Sequence, residues 1–470
     1  MALAAGIIWE VRTTGNAQNG GAFNPAGSGV DYSQQNAAQY ALTGVTSGGA
    51  GNTVLTASAA ADMVGNTIQV ISGTNFTTGF FEITSVSVGV SITCSTNNAG
   101  ASISTGIGAS GVMNIGGALT TMLQPDVIAG NQVYVKATAT YTITATQTFS
   151  VAGTAGNPIT FIGYTTIRGD NGQVTVQRSS GNTTQFSITG SFQRFINFIG
   201  DGNSAGTQTG WAVNATQTFL YNCQAKNFTS QGFNLGNSGS ANVTIVNCRC
   251  TGGTSAATAG FNITTLASQR LLFCIADTNA CPGFRVATTS AGSVMMFHCI
   301  SANNTNSADG FICNNVAGMT MINCVSYSNA GNGLLLDSAT TATAGNLVAV
   351  YNSVFYGNGV FGINSNATNY NASGSFQLPM NYNAFGGNSS GDRQNVPTGA
   401  NDVSLSGDPF TNGASLDFST NNTAGQGAAL RAAGFPGVLQ VGGTGYLDIG
   451  TLQHQDSGGG TTAYIFPVFD

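Results

Sequence analysis

Three side chains have the types and the spacing for acid–base work: Asp201, Lys226 and Asp277. Aligned on a recurring cysteine, the chain carries a column three residues further on that reads Asp201, Lys226, Thr251, Asp277, Ala302, Tyr327, with Asp201 counted from Phe198. A carboxylate beside an ammonium on the next repeat can exchange protons with a glycan, and a glycosidase needs two carboxylates roughly 5–9.5 Å apart. The plainer reading of the same column is a surface ion pair that contributes little. Asp309 and Asp337 fall in other turn regions, with no acidic cluster around them. His298 stands where most repeats have Asn, so it reads as a turn residue rather than a base. His454, in Gln-His-Gln at 453–455, reads as surface or interface. The chain has no Gly-x-Ser-x-Gly elbow, no phosphate loop and no His-Glu-x-x-His.

The elements that must hold this column come from a repeat. Cys223, Cys248, Cys274, Cys299 and Cys324 are separated by 25, 26, 25 and 25 residues. Asn222, Asn247 and Asn323 precede three of them. Asn197-Phe198 and Asn352-Ser353 extend the series at either end. A second marker, Gly followed by a large apolar residue, recurs at Gly210-Trp211, Gly232-Phe233, Gly260-Phe261, Gly283-Phe284, Gly310-Phe311, Gly333-Leu334 and Gly362-Ile363. Short apolar runs at 243–246, 270–273, 294–297 and 319–322 alternate with the turn formers Asn, Gly, Ser and Thr. Helical periodicity is absent. A period near 25 made only of strands and turns specifies an all-β solenoid, a parallel β-helix. Equivalent residues then stack into ladders, one of Cys and one of Asn. The cysteines read as small buried thiols, because disulfides between adjacent parallel coils are strained. Cys248-Arg249-Cys250 is too tight for a zinc knuckle, and no other metal motif is present.

Only 6% of residues are charged while 41% are hydrophobic, so the chain can bury a core but must solvate itself with Asn, Ser, Thr and Gly. Lys and Arg are scattered singly and the net charge is −6, which argues against nucleic acid as a partner. No apolar stretch is long enough to span a membrane, and the N-terminus has no basic region of a secretory signal. Trp211 and Tyr221 are candidate stacking partners for sugar rings.

The segment at 130–141, Gly-Asn-Gln-Val-Tyr-Val-Lys-Ala-Thr-Ala-Thr-Tyr, leads into Gly-Thr-Ala-Gly-Asn-Pro-Ile-Thr at 153–160. This resembles the opening coil of pectate-lyase-like β-helix proteins, and departs from it at Asn131, where that family usually has Asp. The resemblance extends over roughly 125–455, including Ser-Gly-Asp-Pro-Phe at 406–410 and Tyr-Leu-Asp-Ile-Gly-Thr-Leu-Gln at 446–453. Residues 6–23 and 29–35 are similar to the start of β-helix proteins encoded by tailed bacteriophages. The resemblance implies a right-handed β-helix. We divide the chain into an attachment or cap segment (1–45), a small β-rich domain (46–115), the solenoid (116–370, with a helical cap near 118–124) and looser terminal coils with a C-terminal strand region (371–470).

Three functions follow. The first is a virion component of a tailed phage (tail spike, fibre or surface decoration) that binds host surface polysaccharide; there the resemblance implies a homotrimer, docked on other virion proteins through its N-terminal segment. The second is a polysaccharide lyase or glycosidase, with Asp201, Lys226 and Asp277 as the catalytic column. Enzymes of this fold use carboxylate clusters and Ca²⁺, so a cofactor is expected only in this reading. The third is an extracellular adhesin or self-assembling filament, in which an N-terminal strand is donated to the next subunit.

Overall fold

The structure is a computed structural model. It describes residues 8–11, 39–46, 53–57, 59, 67–73, 79–94, 106–109, 127–435 apart from short internal segments, and 448–452. The helical cap expected near 118–124 lies outside the described residues. The fold is all-β, a parallel β-solenoid. Two compact units divide the chain, 1–203 with 215–223, and 204–214 with 224–470.

The first unit holds three parallel faces. Its first face orders Ile8–Val11, Gln132–Lys136, Ile159–Tyr164, Gln193–Ile196 and Phe219–Tyr221. Its second orders Tyr141–Ile143, Val174–Arg178 and Phe198–Asp201, and its third pairs Gln147–Phe149 with Phe186–Ile188. The N-terminal strand Ile8–Val11 pairs in parallel with Gln132–Val135 of its own chain, and the Tyr141 hydroxyl donates to the Val11 carbonyl at 3.3 Å. It thereby closes the open edge of the first coil on that face. The same unit contains an antiparallel sheet built from strands between Gln39 and Ala109. That sheet starts at Gln39, inside the segment we assigned to the cap.

The second unit repeats the three-faced pattern. Its first face runs from Thr244–Val246 to Met380–Asn381, its second from Gln224–Lys226 to Val403–Ser404, and its third from Thr209–Val213 to Gly391–Gln394. The parallel faces therefore continue past residue 370, to Ser404. Alternate residues of each strand point inward: Met319 and Met321 are buried, while Thr320 between them is half-exposed.

Two kinds of ladder fix the coil shape. Trp211, Phe233, Phe261, Phe284 and Phe311 form a nearly parallel ring stack inside, with centroids 5.9, 4.9, 4.7 and 4.9 Å apart. The glycines before them allow the backbones to approach. A methyl group on Gly283 would lie 2.2 Å from Ser301 Oγ and 2.8 Å from the Gly310 carbonyl oxygen. Between the first and second faces the chain turns in two residues. The first is left-handed: Asn222 (φ 52°), Asn247 (52°), Phe273 (57°), His298 (53°), Asn323 (55°) and Asn352 (53°). Asn tolerates this conformation better than other residues with a Cβ, hence its recurrence. The second is Cys223, Cys248, Cys274, Cys299 or Cys324, each buried with a free thiol.

Residues 406–435 and 448–452 leave the coils and lie over the outer side of the second face. Phe410, Phe418, Leu430 and Ile449 form one core with Ala302, Val325, Tyr327, Val354 and Ala384. Asp408 fastens this cover by accepting the Tyr327 hydroxyl at 2.7 Å.

Candidate functional site: the uncovered part of the second face

In the second unit the expected column exists. Lys226, Thr251, Asp277, Ala302 and Tyr327 are in register on the second face, and Gln224, Arg249, Ile275, Ile300 and Val325 form its companion. In strands Gln224–Lys226 and Arg249–Thr251 both outer positions are half-exposed. From Val325 onward the outer positions are apolar and mostly buried under the C-terminal cover. The open stretch is thus a polar platform of Gln224, Lys226, Arg249 and Thr251.

The register places Lys226 and Asp277 two coils apart on this face, as the spacing suggests. Asp277 is 2% exposed, and its carboxylate is engaged by Arg249 rather than Lys226. Arg249 Nε donates to Oδ1 at 2.6 Å and Nη2 donates to Oδ2 at 2.8 Å. The Thr278 hydroxyl adds a bond to Oδ2 at 3.1 Å. With both oxygens engaged by the guanidinium and the residue 2% exposed, this carboxylate lacks access to a substrate. Its hydrogen bond to Asp277 is the largest influence on Arg249, holding the guanidinium above its usual range. Lys226 is separated from Asp277 by the Thr251 strand, about 10 Å at two strand spacings. Asp201 belongs to the first unit. There it caps its own turn, accepting the Asn203 amide at 2.9 Å, and Gln177 Nε2 reaches it at 3.4 Å.

The aromatic candidates separate. Trp211 is fully buried in the internal ring stack, with its indole N–H donated to the Gln224 carbonyl at 2.9 Å, so it offers no platform to a sugar. The Gly-aromatic marker already placed it with the internal Phe column. Tyr221 is half-exposed at the edge of the first face, with its ring parallel to Phe219 at 6.4 Å. At the Asn corner of the first unit, Asn222 Nδ2 donates to Asn197 Oδ1 at 2.8 Å.

His298 is buried, and burial pushes it down to about 4. Its Nδ1 lies 2.6 Å from the Thr451 carbonyl, while Asn323 Nδ2 lies 2.9 Å from Nε2. A neutral ring protonated on Nδ1 satisfies both contacts. His298 is therefore a corner residue that also anchors the returning C-terminal chain. Asp309 is half-buried, and burial raises it; the Asn332 amide N–H donates to it at 2.6 Å. Among the described residues no three His, Cys, Asp or Glu side chains are grouped to hold a metal ion. The Ca²⁺ of the lyase reading thus finds no carboxylate cluster among them. Among the described residues, too, no helix is long and apolar enough to cross a membrane.

A ladder missing from the sequence reading runs inside the second turn. Asn279, Asn304, Asn329, Asn358 and Asn388 pass side-chain amide bonds from coil to coil at 3.0, 2.7, 3.1 and 2.9 Å. Charge is also unevenly placed along the chain. Residues 136–285 hold eight cations, Lys136, Arg168, Arg178, Arg194, Lys226, Arg249, Arg270 and Arg285, against Asp170, Asp201 and Asp277, although the whole chain carries −6.

These features define a pectate-lyase-like right-handed parallel β-helix. Solved structures with this likeness include the pectate lyase Pel9A, at a TM-score of 0.52 and 17% identity over 73% of this chain and 92% of that one. An alginate lyase from Paenibacillus sp. str. FPU-7 gives 0.42 and 11% over 60% and 93%. ORF18 of Geobacillus virus E2 gives 0.31 and 13% over 57% and 55%. No protein-family description and no curated protein matches the sequence.

Proposed function

We propose that the protein binds an acidic surface polysaccharide without cutting it, as a virion-surface β-helix of the tail-spike, fibre or decoration type. The observation that carries the binding reading is the second face, which is sealed by the chain's own C-terminus from Val325 onward yet left open and polar at Gln224, Lys226, Arg249 and Thr251. The excess of cations in residues 136–285 suits an anionic glycan. The engagement of Asp277 by Arg249 argues against cleavage. The phage assignment rests on the likeness of residues 6–23 and 29–35 to phage β-helix proteins. In this reading the protein is an extracellular homotrimer that meets its particle through residues before 46. Light scattering that returns a stable monomer overturns the trimer.

The test is titration of the full chain with polygalacturonate, alginate and dextran, while following unsaturated uronate absorbance and new reducing ends. Binding of the acidic polymers without product is expected, and Lys226→Gln should weaken it severalfold. Steady product formation would replace this reading with the lyase or glycosidase one. Activity that survives Asp201→Ala, Lys226→Ala and Asp277→Ala would then remove that column as its site.

A further inference from the structure

In the first unit the first face turns two rows of side chains outward. One row reads Gln132, Thr160, Arg194 and Phe219, and the other Tyr134, Ile162, Ile196 and Tyr221, each in register from strand to strand. The residues between the rows, Val133, Phe161, Phe195 and Leu220, are buried, so both rows point away from the core. Arg194, Phe219 and Tyr221 are each half-exposed.

These three side chains combine what a sugar acid needs. Phe219 and Tyr221 hold their rings within 5° of parallel on one strand, with centroids 6.4 Å apart. Such rings offer an apolar surface to the C–H face of a pyranose, and Tyr221 adds a hydroxyl. Arg194 stands directly opposite Phe219 on the neighbouring strand, about 4.8 Å away at one strand spacing. Its guanidinium is a planar fork that matches a carboxylate. Arg249 and Arg393 commit that fork to Asp277 and Asp402, whereas no carboxylate among the described residues engages Arg194. The charge around it has the same sign. Lys136 lies on this face in register with Tyr164, and the Arg168 guanidinium sits over the Tyr134 ring at 4.5 Å. The described acids of these coils are placed elsewhere. Glu10 is in register with Tyr134, three strands from Arg194. Asp170 is enclosed by the amides of Thr165, Thr166 and Gly172, and Asp201 is on the second face.

We propose that Arg194, Phe219 and Tyr221 form a further glycan subsite, on the first face, that recognises one uronic-acid residue. It rests on the acidic-polysaccharide reading above and adds a second place and a recognition element to it. The pyranose ring lies against Phe219 and Tyr221. Its carboxylate, carried at the edge of the ring, falls to the Arg194 fork one strand away. Lys136 and Arg168 attract the anionic chain without specifying it. Lys226 and Arg249 take no part, since they belong to the second face of the second unit.

The test uses the full chain carrying Tyr221→Trp, with Phe219→Trp as a second reporter and circular dichroism melts to confirm that each variant is folded. Emission is followed against trigalacturonate, maltotriose and pyrophosphate, and the response of the unchanged chain is subtracted. A saturable change with trigalacturonate alone is expected. Adding Arg194→Gln should weaken it about tenfold, the loss of one charge-assisted pair. Adding Arg194→Lys, which keeps the charge but not the fork, should also weaken it, and adding Lys226→Gln should leave it unchanged. No saturable change in either folded reporter overturns the proposal. An equal response to maltotriose removes the carboxylate from the recognition, and an equal response to pyrophosphate reduces the subsite to a general anion patch; either also overturns it. Calorimetry of the unchanged chain with polygalacturonate separates this failure from that of the broader reading. Binding that Lys226→Gln weakens and Arg194→Gln does not would remove this subsite alone, whereas no binding at all would remove both.

Discussion

The second face of the solenoid is built twice, under opposite rules. At Gln224–Lys226 and Arg249–Thr251 its outer side chains are polar and open to solvent. At Val325–Tyr327, Val354–Tyr356 and Ala384–Gly386 they are apolar, and residues 406–435 and 448–452 lie on them. Backbone, register and corner geometry do not change between the two stretches. What changes is only which side of the sheet is asked to be dry. A solenoid strand has two faces, and the inward one alone defines the fold. The outward one is free to be either a surface or a second core, and here it is both in turn.

The largest expected effect breaks the covered stretch. Phe418, 1% exposed and edge-on to both Tyr327 and Phe410, belongs to the second core. Phe418→Ala should cost about 4 kcal/mol in urea unfolding, as for a large buried ring. A loss near zero would mean that the cover does not stabilise the coils beneath it.

Acid should loosen the same region selectively. His298 is held to about 4 when folded, below its ordinary 6.5, so the unfolded chain binds the extra proton first. Its contribution is complete above about pH 6.5 and is lost as pH falls toward 4, by at most about 3 kcal/mol. Unfolding at pH 7 and pH 4.5 should show this loss in the unchanged protein and a flatter profile in His298→Asn. Identical profiles would assign the acid sensitivity elsewhere.

At the border of the two stretches, Arg249→Met strands Asp277 without its partner. A loss of about 2 kcal/mol is expected, with most of it recovered when Asp277→Asn is added. Failure of the second change to recover stability would show that Arg249 matters for packing rather than for charge. The smallest effect belongs to the open stretch. Thr251→Val should alter stability by no more than about 0.5 kcal/mol, measured by the same urea midpoint, because its outer position is half-exposed.

Much of this was legible in the residues. The cysteine spacing specified the coil, and the aligned column correctly put Lys226, Thr251 and Asp277 on one face. The same column also announces the cover: Lys226 and Thr251 give way to Ala302 and Tyr327, outer positions that lose their polarity. The cover itself was hidden, because residues 406–435 and 448–452 do not repeat and their partners are distant in sequence. Trp211 was misjudged by type, since a large aromatic invites a sugar, whereas its place after Gly210 in the Phe column required burial. The pairing of Asp277 with Arg249 is diagonal rather than along a ladder, so alignment on a single column missed it. Asn279, Asn304, Asn329, Asn358 and Asn388 recur at 25, 25, 29 and 30 residues, but amides in turns read as solvated until the turn is seen to fold inward.

The two-residue corner has an evolutionary consequence. Leu272-Phe273-Cys274-Ile275 and Phe297-His298-Cys299-Ile300 occupy the same bends. Excising Ile275–Cys299 would join Cys274 to Ile300 with every later strand still in phase. A single-residue insertion at that bend would turn the following side chains inside out. Recombination between such bends can therefore lengthen or shorten the solenoid of the second unit one whole coil at a time, in increments of about 4.8 Å. The length of that unit's parallel faces is then a heritable quantity that varies in steps, without redesign of the coils that remain.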